Sequence, residues 1–328
     1  MDDGRVFVYG SYDIPGDTFY CSREYHAFSS ADLVTWTHHG VMFTTEDDRL
    51  GLDWRGKTLF APDCIRIGDR YHLFFCTSAN GEGIATSTTP DGPFTDARPV
   101  EGAHGDAIDP AIFVDDDGSA YYYWGQFHAR GARLRDDLAG IDPSTLQTHL
   151  VTEDEHGFHE GASMRKRNGV YYLVFADISR GRPTALGYAT SEHPLGPFTK
   201  RGIIVDNAGC DPETWNNHGS IETVGGRWYV FYHRSSHASR YSRRLCIEPI
   251  EFNADGTINE VEMTTGGASG LLDARTRLEA SRACLLRGSA RAVRVERASN
   301  GQEADVLSHL SDGDAACYRY LDFHGETR

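Results

Sequence analysis

The 328-residue sequence lacks several things, and each absence narrows the field. No apolar run approaches the ~20 residues that span a bilayer as a helix. No basic patch followed by an apolar stretch opens the chain at Met1-Asp2-Asp3-Gly4-Arg5, so no secretory signal is read there, and the sequence as it stands predicts a cytoplasmic protein, secreted if the true start lies upstream. Positive charge is scarce: 32 Lys and Arg face 48 Asp and Glu, a net charge of −16. Nucleic acid needs a positive surface, so that partner class is set aside, as is the membrane. Cysteine is present but unpatterned. Its seven copies include no CxxC pair and are odd in number, which favours reduced thiols over a disulfide framework or a zinc site. Helical periodicity is weak throughout.

What the sequence does hold is a repeat. Five times, two strand-like runs flank a tight Gly, Asp or Asn turn, and the second run is aromatic. The turns fall at Asp3-Gly4, Gly68-Asp69, Asp117-Gly118, Asn168-Gly169 and Gly225-Gly226. Such turns require φ > 0, which Gly and Asn allow. Runs such as Tyr121-Tyr122-Tyr123 and Trp228-Tyr229-Val230-Phe231 then read as strands. A third strand follows, showing small polar residues and closing on an aromatic, as in Ala189-Thr190-Ser191 to Gly196-Pro197-Phe198. Three or four strands per unit, repeated radially, predict an all-β chain: a five-bladed β-propeller over residues 1–268, followed by part of a β-sandwich over 269–328.

In a propeller the first strand of each blade lines the central channel. Counting back from each turn gives equivalent entry positions. Asp109-Pro110 lies nine residues before Gly118, Glu160-Gly161 nine before Gly169, and His218-Gly219 eight before Gly226. These three side chains should therefore converge at one mouth of the channel. Taken singly, Asp before Pro is an ordinary turn residue, Glu160 a solvated acid and His218 a core histidine. Equivalence of position reverses those odds. Two converging carboxyl groups are what glycosidic cleavage needs: one protonates the leaving oxygen, the other activates water or attacks the anomeric carbon. Crowding raises the proton affinity of one of them. Among aromatics near the mouth, Phe60 and above all Trp215 are candidates to stack on a sugar face, with packing the competing role.

The ordered set Tyr9-Gly10-Ser11-Tyr12-Asp13, Phe60-Ala61-Pro62-Asp63, Ile108-Asp109-Pro110, His159-Glu160-Gly161, Asn217-His218-Gly219 and Arg243-Arg244 resembles glycoside hydrolase family 43 over nearly all of residues 1–265. Residues 276–328 resemble the opening of a family 6-type carbohydrate-binding sandwich. The resemblance implies an inverting hydrolase of arabinosyl or xylosyl linkages in plant saccharides. Asp109 then falls where the acid that tunes and orients the general acid sits, and Glu160 where the general acid itself sits. His218 falls on a channel histidine that often holds calcium through water, and Arg243 on a substrate-binding arginine. Asp63 is carried as a substrate-side residue. No cofactor is required, calcium being implied only as a structural ion. The family's general base would precede Met1, and Asp2 and Asp3 do not match it. On that count the expectation is impaired hydrolysis with sugar binding retained, the alternative being a catalytically silent carbohydrate-binding propeller.

Overall fold

The computed structural model describes residues 4–50, 53–79, 81–296 and 303–325. Five antiparallel sheets follow one another along the chain. The first holds β1 (Val6–Val8), β2 (Glu24–Ser30) and β3 (Thr37–Thr44). The second holds β4 (Asp63–Ile67), β5 (Arg70–Cys76), β6 (Glu82–Ser87) and β7 (Thr95–Pro99). The third holds β8 (Ala111–Val114), β9 (Ala120–Trp124) and β10 (Arg130–Arg133). The fourth holds β11 (Phe158–Arg167), β12 (Val170–Asp177), β13 (Ala185–Ser191) and β14 (Thr199–Asp206). The fifth holds β15 (Ser220–Val224), β16 (Arg227–Ser236) and β17 (Ser239–Pro249). The turns expected from the repeat are in place: Gly68, Gly118, Asn168, Gly169, Gly225 and Gly226 all have positive φ.

Successive side chains of a strand point to opposite faces. The middle strands use both faces. Leu73 and Phe75 pack against Tyr25 and Phe43 of the first sheet, while Phe74 packs toward Ile112 and Tyr122 of the third. Tyr123 joins Met164, Leu173 and Phe175, and Tyr172 with Val174 joins Ile221, Val230 and Tyr232. Each sheet is thus sandwiched between its neighbours. The ring closes where Val6 and Leu33 of the first sheet meet Phe231 and Ile247 of the fifth. This is a five-bladed β-propeller. Its closing contact is thin, with four buried side chains.

Beyond Pro249 the chain forms β18 (Leu272–Asp273), β19 (Leu285–Arg287), β20 (Arg291–Glu296), β21 (Glu303–Ser308), β22 (Ala315–Cys317) and β23 (Leu321–Asp322). They pair as β18 with β23, β19 with β22 and β20 with β21. Among the described residues no sheet in this segment exceeds two strands, so the expected sandwich takes the form of three short ladders. Cys284 lies fully buried in the core shared by the fourth and fifth blades, which anchors the segment to the propeller. No helix among the described residues is long and apolar enough to cross a membrane. Asp2 and Asp3, and the first-blade entry that the resemblance assigns to the general base, lie outside the described residues.

Candidate active site

Asp109, Glu160 and His218 each stand at the entry of an inner strand, as the repeat predicts. Asp109 precedes β8, Glu160 is the third residue of β11, and His218 precedes β15. The pairing of β11 with β12 shifts register on either side of Glu160, so the strand bulges there. A bulge re-aims the side chain it carries. Gly161, at φ +72°, makes this one possible. A Cβ on Gly161 would lie 3.0 Å from the His218 ring, so the close approach of β11 to His218 also needs glycine. Asp109 is itself held at φ +56°, a sparsely populated region for a residue with a side chain.

The three side chains meet. Asp109 Oδ2 lies 4.0 Å from His218 Nδ1. The backbone amides of Ala61 and Gly161 and the Arg243 charge favour the ionised Asp109 carboxylate but do not prevail. Asp109 is 5% exposed, and burial raises its carboxyl well above the usual range, with the Glu160 charge adding to the rise. Glu160 is 9% exposed. Gln126 Nε2 donates to Glu160 Oε2 at 2.8 Å, and Asn216 Nδ2 donates to Oε1 at 2.7 Å. Both carboxylate oxygens are thereby fixed in place. His218 is brought down to about 4, mainly by burial, and is neutral near pH 7. Beside it His233 is half-buried, and its two ring nitrogens are buried without a hydrogen-bond partner.

Arg243 comes from β17 and reaches the same group: its charge acts on both Asp109 and His218. It is not free to move. Its Nη2 lies 2.6 Å from Asp13 Oδ1, and its Nε lies 2.8 Å from Asp13 Oδ2. The guanidinium also sits 4.9 Å from the Tyr20 ring centre. An open cavity of about 1810 Å³ runs beside these residues, lined by His218, His233, Arg243, Arg165 and Asp63. The two acids themselves do not line it. Their flanking residues Pro110 and Ala162 do.

The remaining expected residues are placed as follows. Trp215 is half-buried next to Asn216, with the Arg240 guanidinium 5.5 Å from its ring centre. Phe60 is also half-buried. Its carbonyl accepts from Tyr25 Oη at 2.6 Å, and it precedes Ala61, whose amide acts on the Asp109 carboxyl. Asp63 is spent on the scaffold: Oδ2 accepts from the Ile112 amide at 3.0 Å and Oδ1 from the Cys64 amide at 2.8 Å, tying the second blade to the third. Burial raises its carboxyl, and Arg165 opposes the rise.

The two amides that grip Glu160 escaped sequence reasoning. Gln126 follows β9 rather than preceding an inner strand, so counting back from a turn does not reach it. Asn216 lies two residues before His218, and that adjacency was its one available signal. The calcium implied by the resemblance would be held by His218 through water, since calcium itself takes oxygen ligands. Among the described residues no group of three His, Cys, Asp or Glu could hold a metal. The donor set does not fit a directly coordinated calcium, and no catalytic step is routed through one.

The family model for glycosyl hydrolases family 43 matches residues 2–258. The chain belongs to glycosyl hydrolase family 43. Among its curated relatives, a xylosidase/arabinosidase of Thermoclostridium stercorarium is 28% identical across 98% of this chain and 79% of its own length. Xylosidase/arabinosidase 43A of Humicola insolens is 31% identical across 78% of this chain and 93% of its own. Among solved structures, a β-xylosidase/α-arabinofuranosidase from a compost microbial metagenome, crystallised with xylotriose in a calcium-free form, is 31% identical. It aligns with TM-score 0.68 over 79% of this chain and 92% of its own. The Bacillus subtilis arabinoxylan arabinofuranohydrolase aligns with TM-score 0.69 and 26% identity over 95% of this chain and 74% of its own, so its likeness extends past the propeller. The protein is thus a glycoside hydrolase.

Proposed function

We propose that this family 43 enzyme hydrolyses arabinosyl or xylosyl linkages of hemicellulose-derived saccharides with inversion, with Glu160 as general acid. The observation that carries this is the grip on Glu160. Gln126 and Asn216 hold its two oxygens at 2.8 and 2.7 Å beside a second acid, Asp109. An acid so held can be aimed at one glycosidic oxygen. Asn216 can serve both protonation states. Its amide donates to the carboxylate, and its Oδ1, buried without a partner, can accept from the protonated acid once the amide rotates.

Asp109 acts on Glu160 in two ways. Its carboxylate faces the backbone amide of Gly161, the residue at the bulge that aims Glu160. Its charge, when present, lies close to that of Glu160 and discourages both acids from being ionised together. Arg243, held by Asp13, offers its remaining surface to sugar hydroxyls, and Trp215 offers a ring face. An inverting mechanism also needs a carboxylate to activate water, standing roughly 6.5–9.5 Å from the acid. Neither Asp13, committed to Arg243, nor Asp63, committed to backbone amides, is given that role here.

The relatives named above are xylosidases and arabinofuranosidases, which supports the choice of pentosyl linkages. All seven cysteines are free thiols, which fits a reducing compartment such as the cytoplasm. A saccharide is the partner in this reading, and the net charge of −16 disfavours nucleic acid. The test is turnover of aryl xyloside and aryl arabinofuranoside by the wild type and by Glu160→Gln. General acid catalysis is worth about 10²–10⁴-fold, most of it for poor leaving groups. A Glu160→Gln enzyme that keeps the wild-type rate on unactivated xylo-oligosaccharides would refute the assignment.

A further inference from the structure

The β16–β17 turn is built against its own sequence. Its two central residues, His237 and Ala238, have φ +58° and +53°. Two consecutive positive φ values normally call for Asn-Gly or Gly-Gly. Here both residues carry a Cβ, so the turn is strained and persists only where its surroundings hold it. Two carboxylates do so. Asp305 Oδ1 lies 3.1 Å from His237 Nε2, and Asp211 Oδ2 accepts from the Ala238 amide at 2.9 Å.

Asp305 belongs to the C-terminal hairpin, on β21, opposite Arg294 of β20. It is 14% exposed and is charge-balanced on the spot: Arg244 Nη2 lies 2.6 Å from Oδ2, and Arg294 Nε lies 3.3 Å from Oδ1. Arg244 stands beside Arg243 on β17. Asp211 leads the other way. Its Oδ1 accepts from the Glu213 amide at 2.9 Å, and its carbonyl accepts from the Thr214 amide at 2.9 Å. Those bonds shape the turn that presents Trp215 and Asn216, and Asn216 grips Glu160.

A path of contacts and short backbone links therefore runs from the C-terminal hairpin to the acid: Asp305 to His237, along the chain to Ala238, to Asp211, through the 211–214 turn to Asn216, and from there to Glu160. We propose that Asp305 is a positioning residue for the saccharide site: by clamping the strained His237–Ala238 turn it sets Arg243 on one side and the Trp215–Asn216 loop on the other. The C-terminal segment thereby serves catalysis by the propeller and is more than an appendage. This inference rests on the functional reading given above.

The experiment compares the wild type with Asp305→Ala, Asp305→Asn and the double variant Asp305→Ala/Ala238→Gly. Turnover of aryl pentosides and calorimetric affinity for xylotriose are measured on samples whose unfolding transitions lie well above the assay temperature. Asp305→Ala is expected to lose at least tenfold in kcat/KM, with weaker xylotriose binding. Asp305→Asn keeps an acceptor for His237 and should fall between. Glycine at 238 removes the strain at one of the two turn positions, so the double variant should recover part of the loss. A folded Asp305→Ala protein with wild-type kcat/KM and affinity would overturn the proposal, as would failure of Ala238→Gly to rescue. If Asp305→Ala does not fold, Asp305→Asn decides by the same criteria. A wild type that neither hydrolyses nor binds pentosides would instead overturn the functional reading.

Discussion

Arg243 of the fifth blade and Asp13 of the first form a two-pronged ion pair, 2.6 and 2.8 Å, across 230 positions of sequence. Both side chains are buried, at 14% and 8% exposure. The apolar contact that closes the ring is the thinnest between any two blades, so this pair fastens the propeller where it also holds the Arg243 guanidinium near Asp109 and His218.

Removing one partner of a buried pair leaves the other charge uncompensated, at a cost of about 3–5 kcal/mol. Asp13→Ala is therefore expected to destabilise the fold by roughly that amount, read from denaturant unfolding. Its pentoside activity should fall even where the protein remains folded. An Asp13→Ala protein as stable as the wild type would show that the closure does not depend on the pair.

Asn216 and Gln126 each donate one hydrogen bond to Glu160. Bonds to charged groups are worth about 1.5–3 kcal/mol, which is on the order of 10–100-fold in rate if the loss falls on the transition state. Alanine at either position should lower kcat/KM within that range with little change in the thermal midpoint. The drop should be larger for substrates with poor leaving groups.

Asp109 has a carboxyl raised well above its ordinary 3.8 by burial and by Glu160. The sign of the linkage follows. Below pH 3.8 the group is protonated in both folded and unfolded chains and costs nothing. As pH rises through 3.8 toward the folded value, the unfolded chain releases its proton first and the folded state loses stability. Asp109→Asn removes that loss. It should be inactive or nearly so, yet gain stability relative to the wild type, with the gain growing from pH 4 to neutrality. Thermal melts across that range would show it, and a gain that shrinks with rising pH would contradict it.

His218 works in the opposite window. Its imidazole is lowered to about 4, so between that value and its ordinary 6.5 the unfolded chain binds the proton and the folded chain does not. Stability should fall as pH drops from 6.5 toward 4. His218→Gln should flatten that part of the profile.

Gly161 sits at φ +72° with the His218 ring where a Cβ would go. Gly161→Ala should cost about 1–3 kcal/mol in backbone strain. Its effect on kcat should exceed its effect on KM, because the bulge aims the acid without binding the sugar. Steady-state kinetics at saturating substrate would separate the two.

Much of this was legible in the amino-acid order. Four of the five turns, at Gly68, Gly118, Asn168-Gly169 and Gly225-Gly226, each followed by an aromatic strand, determine the inner hairpins of the second to fifth blades, because turn chemistry and period-2 burial are local properties. Equal counting from those turns put Asp109, Glu160 and His218 at equivalent entries, since a repeat carries its own coordinate system. Arg243 was reached through family resemblance, and the structure places it close enough to act on Asp109 and His218. Gln126, Asn216 and Asp13 were beyond counting, because each touches its partner through a loop or across the ring closure, where separation in sequence says nothing about distance. Asp63 shows the converse. The resemblance carried it as a substrate-side residue, and only its backbone amide bonds, to Ile112 and Cys64, show it bracing the second blade against the third. Strand, turn and repeat are thus settled by neighbours in the chain. Which polar group answers which is settled by the closing of the ring, because a buried carboxylate must find its donors wherever the fold brings them.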